Sequence, residues 1–211
     1  PGRTLAFEFA DGKQMFSAVS HLREFSPQKL KEYLKDNHFA KACSRVPLIA
    51  ITDWTLYPHM TACWELLLAE VFQKLTHRPA FFFDLVDPSS RTDEAIAEML
   101  QVLGKFEACG PVCLGLNQNE AGILSRILGL SRGKASSPEE AQSQALALRE
   151  ALGLHSVVIH AREYASLACP EGGFAGWGPY CENPVKSTGA GDRFNSGYAL
   201  GLLLELHPID Q

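Results

Sequence analysis

The chain has 211 residues, the length of one domain or of one domain with a small appendage. Hydrophobic residues make up 46% of it, which supports a substantial core and excludes a disordered chain. The formal net charge of −5 argues against a nucleic-acid partner, and no apolar run approaches the length of a membrane span. The six cysteines form no CxxC pair and no zinc-type cluster, which predicts reduced thiols and a cytoplasmic protein.

The first part of the chain is rich in strand signals. Two short strand-like runs, 2–9 and 14–19, flank the segment Ala10-Asp11-Gly12-Lys13. Asp-Gly between two such runs predicts a β-hairpin. Ser26 followed by Pro27 is typical of a capped helix start, and we expect this helix to reach about Lys35.

Strands and helices alternate through the rest of the chain. We expect strands at 47–52, 80–86, 111–116 and 156–160, and helices at 60–77, 92–108, 118–128 and 137–152. Ser137 to Glu140 has the form of a capping box, and the Gly-, Pro- and aromatic-rich region 164–182 predicts a loop or a hairpin. This alternation predicts an α/β fold with a mostly parallel sheet that helices cover on both faces.

Polar side chains stand at or just after the ends of several predicted strands. Ligands of parallel sheets bind at the carboxyl ends of the strands, so these side chains are candidate site residues. They are Asp53, Asp84, Asp87, Asn117, Glu120 and His160.

The segment 183–206 predicts an anion-binding corner on the same rim. Gly189, Ala190 and Gly191 form a tight turn, and Asp192 begins an apolar helix. The unpaired amides and the dipole of a helix start attract anions, phosphate above all. A carboxylate held there can also accept a proton from a nearby hydroxyl. The alternative interpretation is a plain helix cap and turn, and the convergence of polar groups from separate segments favours a site.

Several of the candidates have two interpretations. Asn117 and Glu120 can hold a hydrated Mg²⁺ and a phosphate oxygen, or they can form a capping box at a helix start. Asp84 and Asp87 can each face a metal or form a turn, and for Asp87 we expect the turn. Arg91 is expected to pair with a neighbouring carboxylate. His160 can contact a ligand or be a core histidine with its hydrogen bonds satisfied.

The order of these elements resembles the ribokinase-like sugar kinases, the PfkB carbohydrate kinase family. The segment 186–197, KSTGAGDRFNSG, is similar to the family's second signature, in which GAGD is followed by F and G. Asn117-Gln118-Asn119-Glu120 is similar to its NxxE motif, and DLVDPSSR after a strand is also typical. The resemblance covers essentially the whole chain and implies a ribokinase-like three-layer sandwich with a small β lid hairpin.

The resemblance also implies a role for each matching residue. Asp192 is expected to be the catalytic base for a sugar hydroxyl. Gly189, Ala190 and Gly191 would form the anion hole for the transferred phosphoryl group. Asn117 and Glu120 would organise phosphate and Mg²⁺, with Glu120 as the metal-side residue. Thr188 and His160 are the candidate contacts to ATP.

The resemblance further implies a division of the chain and a set of partners. Residues 1–25 would be part of the lid and residues 26–211 the kinase core, without the family's N-terminal sugar-binding part and extreme C-terminus. A homodimer through the lid is expected, with no nucleic acid and no membrane as partners.

The sequence also departs from the family pattern. Lys186 replaces a common Asp, Arg193 replaces a small residue, and the strand at 157–165 lacks the usual glycines. These departures favour one alternative to a sugar kinase, a non-catalytic nucleotide or sugar sensor. A vitamin or nucleoside kinase, as among relatives with the same fold, is a further alternative.

Overall fold

A computed structural model describes residues 3–9, 12–130, 133–182 and 184–211. The chain forms a two-stranded ribbon and a six-stranded sheet with helices on both faces. The strands are β1 Arg3–Phe9, β2 Gly12–Ala18, β3 Leu48–Thr52, β4 Ala80–Asp84, β5 Val112–Asn117, β6 Ser156–His160, β7 Tyr164–Cys169 and β8 Gly172–Trp177. The helices are α1 Pro27–Leu34, α2 His38–Cys43, α3 Met60–Glu70, α4 Asp93–Lys105, α5 Gln118–Ile127, α6 Pro138–Leu152 and α7 Ala190–Leu203. Within the described ranges, no helix has both the length and the apolar character needed to cross a bilayer.

The β1–β2 ribbon is the predicted hairpin, and its strands pair antiparallel along their whole length. Ala10 and Asp11 of the predicted Asp-Gly turn lie outside the described residues. Because side chains alternate across a strand, one side of the ribbon is apolar and the other carries Glu8 opposite Lys13. The apolar side presents Leu5, Phe7, Phe9 and Phe16.

The six-stranded sheet confirms the predicted mostly parallel arrangement. Its strands follow chain order from β3 to β8. Strands β3 to β6 are parallel, whereas β7 and β8 form an antiparallel hairpin. The region 164–182, predicted as a loop or a hairpin, therefore contains a hairpin. The carboxyl ends of β3 to β6 share one rim, where the predicted polar residues lie.

The two faces of the sheet pack against different helices, which gives three layers. Phe81 and Phe83 of β4 point to one face, where residues of α3, α4, α5 and α6 complete the larger core. Phe82, between them, points to the other face and packs against Tyr198 of α7. This alternation follows from the two-residue period of a strand.

The helix predicted at 60–77 is shorter than expected. Helix α3 ends at Glu70, because Val71 adopts φ −125° and ψ −65° and starts a 3-10 turn. The turn directs Phe72 into the core, where its ring lies 5.1 Å from that of Phe81. The periodicity did not predict α2, a short helix of six residues.

Local capping signals at two helix starts agree with the structure in part. Ser26 caps α1, and Ser137 accepts a hydrogen bond from the Glu140 amide at 3.2 Å. The capping box predicted at 137–140 is nevertheless incomplete, because the Glu140 carboxylate accepts from the amide and hydroxyl of Ser136 instead.

Arg91 also differs from its prediction. Its guanidinium donates to the carbonyl oxygens of residues 54, 55, 57 and 58 and lies 4.1 Å above the Trp54 ring. It therefore pairs with backbone and an aromatic face and not with a carboxylate.

Candidate active site

The start of α7 forms the predicted corner at the rim of the sheet. Gly189 is the residue before the helix and has φ +90°, a left-handed conformation that disfavours any side chain. Asp192 lies in the first turn, two residues after the helix begins at Ala190. The helix therefore starts earlier than predicted, and both glycines keep the backbone accessible.

The amides of this corner are mostly unpaired. Ala190 N donates to Ser187 O at 3.2 Å, so this one predicted amide is engaged. The amides of Gly189, Gly191 and Asp192 have no acceptor among the described residues. Three N–H groups at one helix start are therefore available to an anion.

The Asp192 carboxylate is exposed beside these amides. Within the described part of the chain, no group donates a hydrogen bond to it. A Cβ added at Gly189 would lie 3.8 Å from Asp192 Oδ2, so the carboxylate lies over the preceding turn. A carboxylate to which no described group donates can accept a proton from a hydroxyl that approaches the corner.

Glu8 of the ribbon contacts the segment just before this corner. Its carboxylate accepts hydrogen bonds from Ser187 N at 3.3 Å, Ser187 Oγ at 3.0 Å and Thr188 N at 2.9 Å, and from the Thr188 hydroxyl. These donors, the Thr188 hydroxyl first, lower the pKa of Glu8 to about 2. The predicted nucleotide contact Thr188 is thus occupied by the ribbon in this conformation.

Asn117 and Glu120 form the capping box that was one of their two interpretations. Asn117 Oδ1 accepts from the amides of Asn119 and Glu120 at 2.9 and 3.0 Å. Glu120 Oε2 accepts from Asn117 N at 2.8 Å. Glu120 Oε1 has no hydrogen-bond donor among the described residues, so the capping role leaves one oxygen of this carboxyl group available.

Glu120 is only 5% exposed and lies in an acidic environment. Burial, with the nearby charges of Asp84 and Asp87, raises its pKa to about 7 against the lowering effect of the Asn117 hydrogen bonds. Asp87 Oδ1 accepts from Ser89 N at 3.0 Å, as expected of a turn former. In the parts of the chain described, no three Asp, Glu, His or Cys residues are placed to hold a metal ion together.

His160 packs against the start of α7. Its ring lies 4.9 Å from the Phe194 ring, and a Cβ added at Gly191 would lie 3.3 Å from His160 Cε1. Burial lowers the pKa of His160, with Asp84 opposing the effect, which favours the neutral imidazole. His160, the last residue of β6, therefore lies against Gly191 of the predicted anion hole.

A contact between Asp84 and Asn195 joins the end of β4 to α7. Asn195 Nδ2 donates to Asp84 Oδ2 at 2.7 Å. Sequence reasoning did not single out Asn195 or Glu8, because each contacts a segment far away in the chain. Two signals were available: the alternation of side chains along the Glu8 strand, and the position of Asn195 three residues after Asp192. Neither signal indicates which residue is contacted.

A cavity of about 700 Å³ lies between α7, the β7–β8 hairpin and the last residues described. Ala190 and Phe194 line it at the end near the corner, and Trp177 and Tyr198 supply aromatic walls. Its volume is within the range of small-molecule pockets. The corner therefore combines open amides, a carboxylate and an adjoining aromatic cavity, an arrangement that can bind a phosphorylated aromatic ligand.

Comparison with known proteins places this arrangement in a family. A family model described as prokaryotic ketohexokinase matches residues 1–210. A ketohexokinase from Haloferax volcanii is 26% identical over 208 residues, which cover 98% of this chain and 54% of that protein. The chain thus spans about half the length of this curated relative.

Solved structures show the same fold. Adenosine kinase from Sinorhizobium meliloti has a TM-score of 0.64 at 12% identity, covering 99% of this chain and 56% of that one. A nucleoside kinase from Burkholderia thailandensis, solved with inosine, has a TM-score of 0.58 at 15% identity, covering 98% and 57%. The predicted ribokinase-like α/β fold is confirmed.

Proposed function

The chain belongs to the prokaryotic ketohexokinase family, and from this premise we propose that the protein is an ATP-dependent carbohydrate kinase. It transfers the γ-phosphoryl group of ATP to a hydroxyl of a sugar or sugar-like substrate. The observation that carries the proposal is the start of α7, where an unpartnered carboxylate, three open amides and a cavity adjoin.

Asp192 is the catalytic base in this proposal. Its carboxylate takes the proton of the substrate hydroxyl, whose oxygen then forms a bond to the γ-phosphorus. The bond from that phosphorus to the bridging oxygen breaks, and ADP leaves. Phosphoryl transfer depends mainly on positioning and charge stabilisation, which helix-start amides supply.

The anion hole is formed by the turn 189–191. The open amides of Gly189 and Gly191, with that of Asp192, face the charge that develops on the phosphoryl oxygens. Ala190 contributes by keeping the turn in place, because its amide is engaged by Ser187 O.

Glu120 and Asn117 fit the organisation of a hydrated Mg²⁺. The fit rests on the free oxygen of Glu120 and on the nearby carboxylates of Asp84 and Asp87, which add to the effect of burial in raising its pKa to about 7. Mg²⁺ keeps several waters and needs few protein ligands, so one carboxylate on a capped helix is sufficient. When bound, Mg²⁺ neutralises phosphate charge.

ATP is proposed to lie in the cavity beside α7. Phe194 and Trp177 give apolar surface for the base, and Ala190 leads from the cavity to the open amides. His160 shapes the junction through its contact with Phe194. Thr188 reaches the nucleotide only after Glu8 has released it.

Residues 1–25 are proposed to be part of a lid, and residues 26–211 are proposed to be the kinase core. The protein is proposed to act in the cytoplasm.

The apolar side of the ribbon, with Leu5 at 65% and Phe9 at 61% exposure, fits a second copy of the lid. Light scattering on the whole protein should give the mass of a dimer, and a mass of one copy would contradict this assembly.

Substitution of the base tests the mechanism. In the whole protein, we expect Asp192→Asn to lower kcat by about 10³-fold or more, because general-base and charge effects are both lost. The melting temperature should change little, since the side chain is exposed and makes no hydrogen bond to the described residues. Near-normal turnover in this variant would contradict the role of Asp192.

A panel of acceptors separates the candidate functions. ADP release should depend on a sugar and should be faster with a ketose than with nucleosides or vitamins. Binding of ATP or a sugar without ADP release under any acceptor would favour the sensor, and a preference for a nucleoside or vitamin would identify that kinase class instead.

A further inference from the structure

Asn195 is a buried residue of α7 that contacts the sheet at Asp84. The residue is 8% exposed, and its Nδ2 donates to Asp84 Oδ2 at 2.7 Å. The other oxygen of Asp84 accepts from Val86 N at 2.9 Å. Both oxygens of Asp84 are therefore fixed, one by its own strand end and one by α7.

We propose that Asn195 is a positioning residue that ties α7 to Asp84 and so holds Asp192 and the open amides in place for phosphoryl transfer. The inference rests on the proposed function. Asn195 follows Asp192 by three residues, which is just under one helical turn. A bond at this distance fixes how far the helix start extends past the rim and how it is rotated.

Gly115 of β5 makes the close approach possible. A Cβ added there would lie 2.7 Å from Phe82 Cζ and 3.2 Å from Asn195 Oδ1. Any residue other than glycine at position 115 would have to displace the Phe82 ring or the Asn195 amide. The sheet thus has a glycine where the amide of α7 must lie against it.

The chemistry of the Asn195 side chain supports positioning over simple packing. Its Oδ1 is buried and has no hydrogen-bond partner in the described residues. Leaving such an atom unpaired costs about 1–3 kcal/mol, so packing alone does not account for an amide at this position. An amide is useful here because it donates to Asp84 without adding another charge.

The absence of added charge matters because the rim is already acidic. Asp84 acts electrostatically on Asp53 and on Glu120, and Asp87 acts on Glu120 as well. A carboxylate at position 195 would repel Asp84 across the same short contact and push α7 away from β4. Asn195→Asp therefore breaks the bond with almost no change in side-chain size.

The test uses the whole protein and a reciprocal exchange. We expect Asn195→Asp to lower kcat by roughly 10–100-fold, the range for loss of a residue that orients a site, with KM changed much less. The double variant Asp84→Asn with Asn195→Asp restores one amide and one carboxylate, and we expect it to recover most of the loss. Leu200→Ala, at an exposed position further along α7 and outside the cavity lining, is the control and should keep kcat.

A second readout does not depend on activity. The amide resonances of Gly191 and Asp192 should shift in Asn195→Asp and return towards their original positions in the double variant. A folded Asn195→Asp protein with unchanged kcat and unchanged resonances would overturn the inference. A purely structural role would lower the melting temperature and move kcat and KM together, without rescue by the exchange, and would overturn it too.

Failure of the proposed function gives a different result. If the wild-type protein releases no ADP with any acceptor, the kinase assignment fails. The amide resonances would then still decide whether Asn195 positions the start of α7, because they report geometry and not turnover.

Discussion

The two faces of the six-stranded sheet differ in how completely they are covered and in what lies at their rim. On one face, four helices enclose a core rich in aromatic rings, including Phe81, Phe83 and Phe106. On the other, α7 packs on a smaller cluster and leaves Leu200 at 55% and Leu204 at 60% exposure. The first face holds most of the burial that stabilises the fold. The second carries the open amides, the Asp192 carboxylate and the cavity.

The largest expected effect is a loss of stability when a core residue on the first face is removed. Phe83 is fully buried, and its ring lies 5.0 Å from Trp64 and 4.9 Å from Phe106. Phe83→Ala should lower the free energy of unfolding by about 3–5 kcal/mol, because it removes these contacts and leaves a cavity. Denaturant unfolding followed by circular dichroism measures this change.

Phe194 provides the matched comparison on the second face. It is half-buried and stacks on His160, so Phe194→Ala should cost only about 1 kcal/mol of stability. Its main effect should be weaker ATP binding, measured by calorimetry. If both variants lost stability equally and ATP binding were unchanged, the division of labour between the faces would be wrong.

A smaller effect should come from Glu120, which lies in the first turn of α5 at the rim of the sheet. The folded-state pKa of about 7 lies above the ordinary value of 4.5, so the folded chain holds a proton that the unfolded chain releases. Stability should therefore fall as pH rises from about 4.5 through 7, by on the order of 3 kcal/mol in total. Melting temperatures across this pH range measure the slope.

Glu120→Gln supplies the control for this slope. Glutamine keeps an oxygen that can accept from Asn117 N, so the capping box is preserved while the titration is lost. The variant should show a flatter dependence of melting temperature on pH. An unchanged slope would mean that another group is responsible.

The smallest expected effect concerns the contact of Glu8 with Ser187 and Thr188. The pKa of Glu8 is lowered to about 2, so the contact is complete above pH 4.5 and is lost as pH falls towards 2. The carboxyl carbon resonance of Glu8 reports this titration. Glu8→Gln should speed hydrogen exchange at Thr188 N with little change in global stability, since neutral acceptors bind more weakly and the site is exposed.

Lys13, opposite Glu8 on the ribbon, is the control position for this experiment. Lys13→Gln removes a charge from the same side of the ribbon and leaves the four hydrogen bonds to Glu8 in place. Equal acceleration of exchange at Thr188 in both variants would show that ribbon charge, and not the Glu8 carboxylate, sets the contact.

The parts of the molecule that sequence reasoning predicted well are governed by local physics. The glycine turn before α7, the caps at Ser26 and Asn117, and the continuous burial of β4 all follow from residues within one turn or strand. These signals located the rim and its candidate residues. They could not choose between the capping and functional interpretations of Glu120, and the structure shows that the cap leaves one oxygen available.

The parts that it missed depend on contacts between distant segments. The bond from Asn195 to Asp84 spans 111 residues, and nothing near either residue indicates its partner. Helix α3 ends early because Phe72 packs into a core formed by later strands. The helical periodicity of the segment itself gives no information about those strands. The pairing of Arg91 with carbonyl oxygens was missed for the same reason.

The contact of Glu8 also has a consequence for how the chain folds. Glu8 and Thr188 are 180 residues apart, so closing this loop in an unfolded chain costs about 4–5 kcal/mol of entropy. A few hydrogen bonds between exposed groups cannot offset that cost alone, and the sheet must first bring the two segments near each other. We therefore expect the ribbon to dock after the core has formed, so that the corner at the start of α7 is completed late in folding. A folding probe in the aromatic core, such as Trp64 fluorescence, would reach its native value before hydrogen exchange at Thr188 slows.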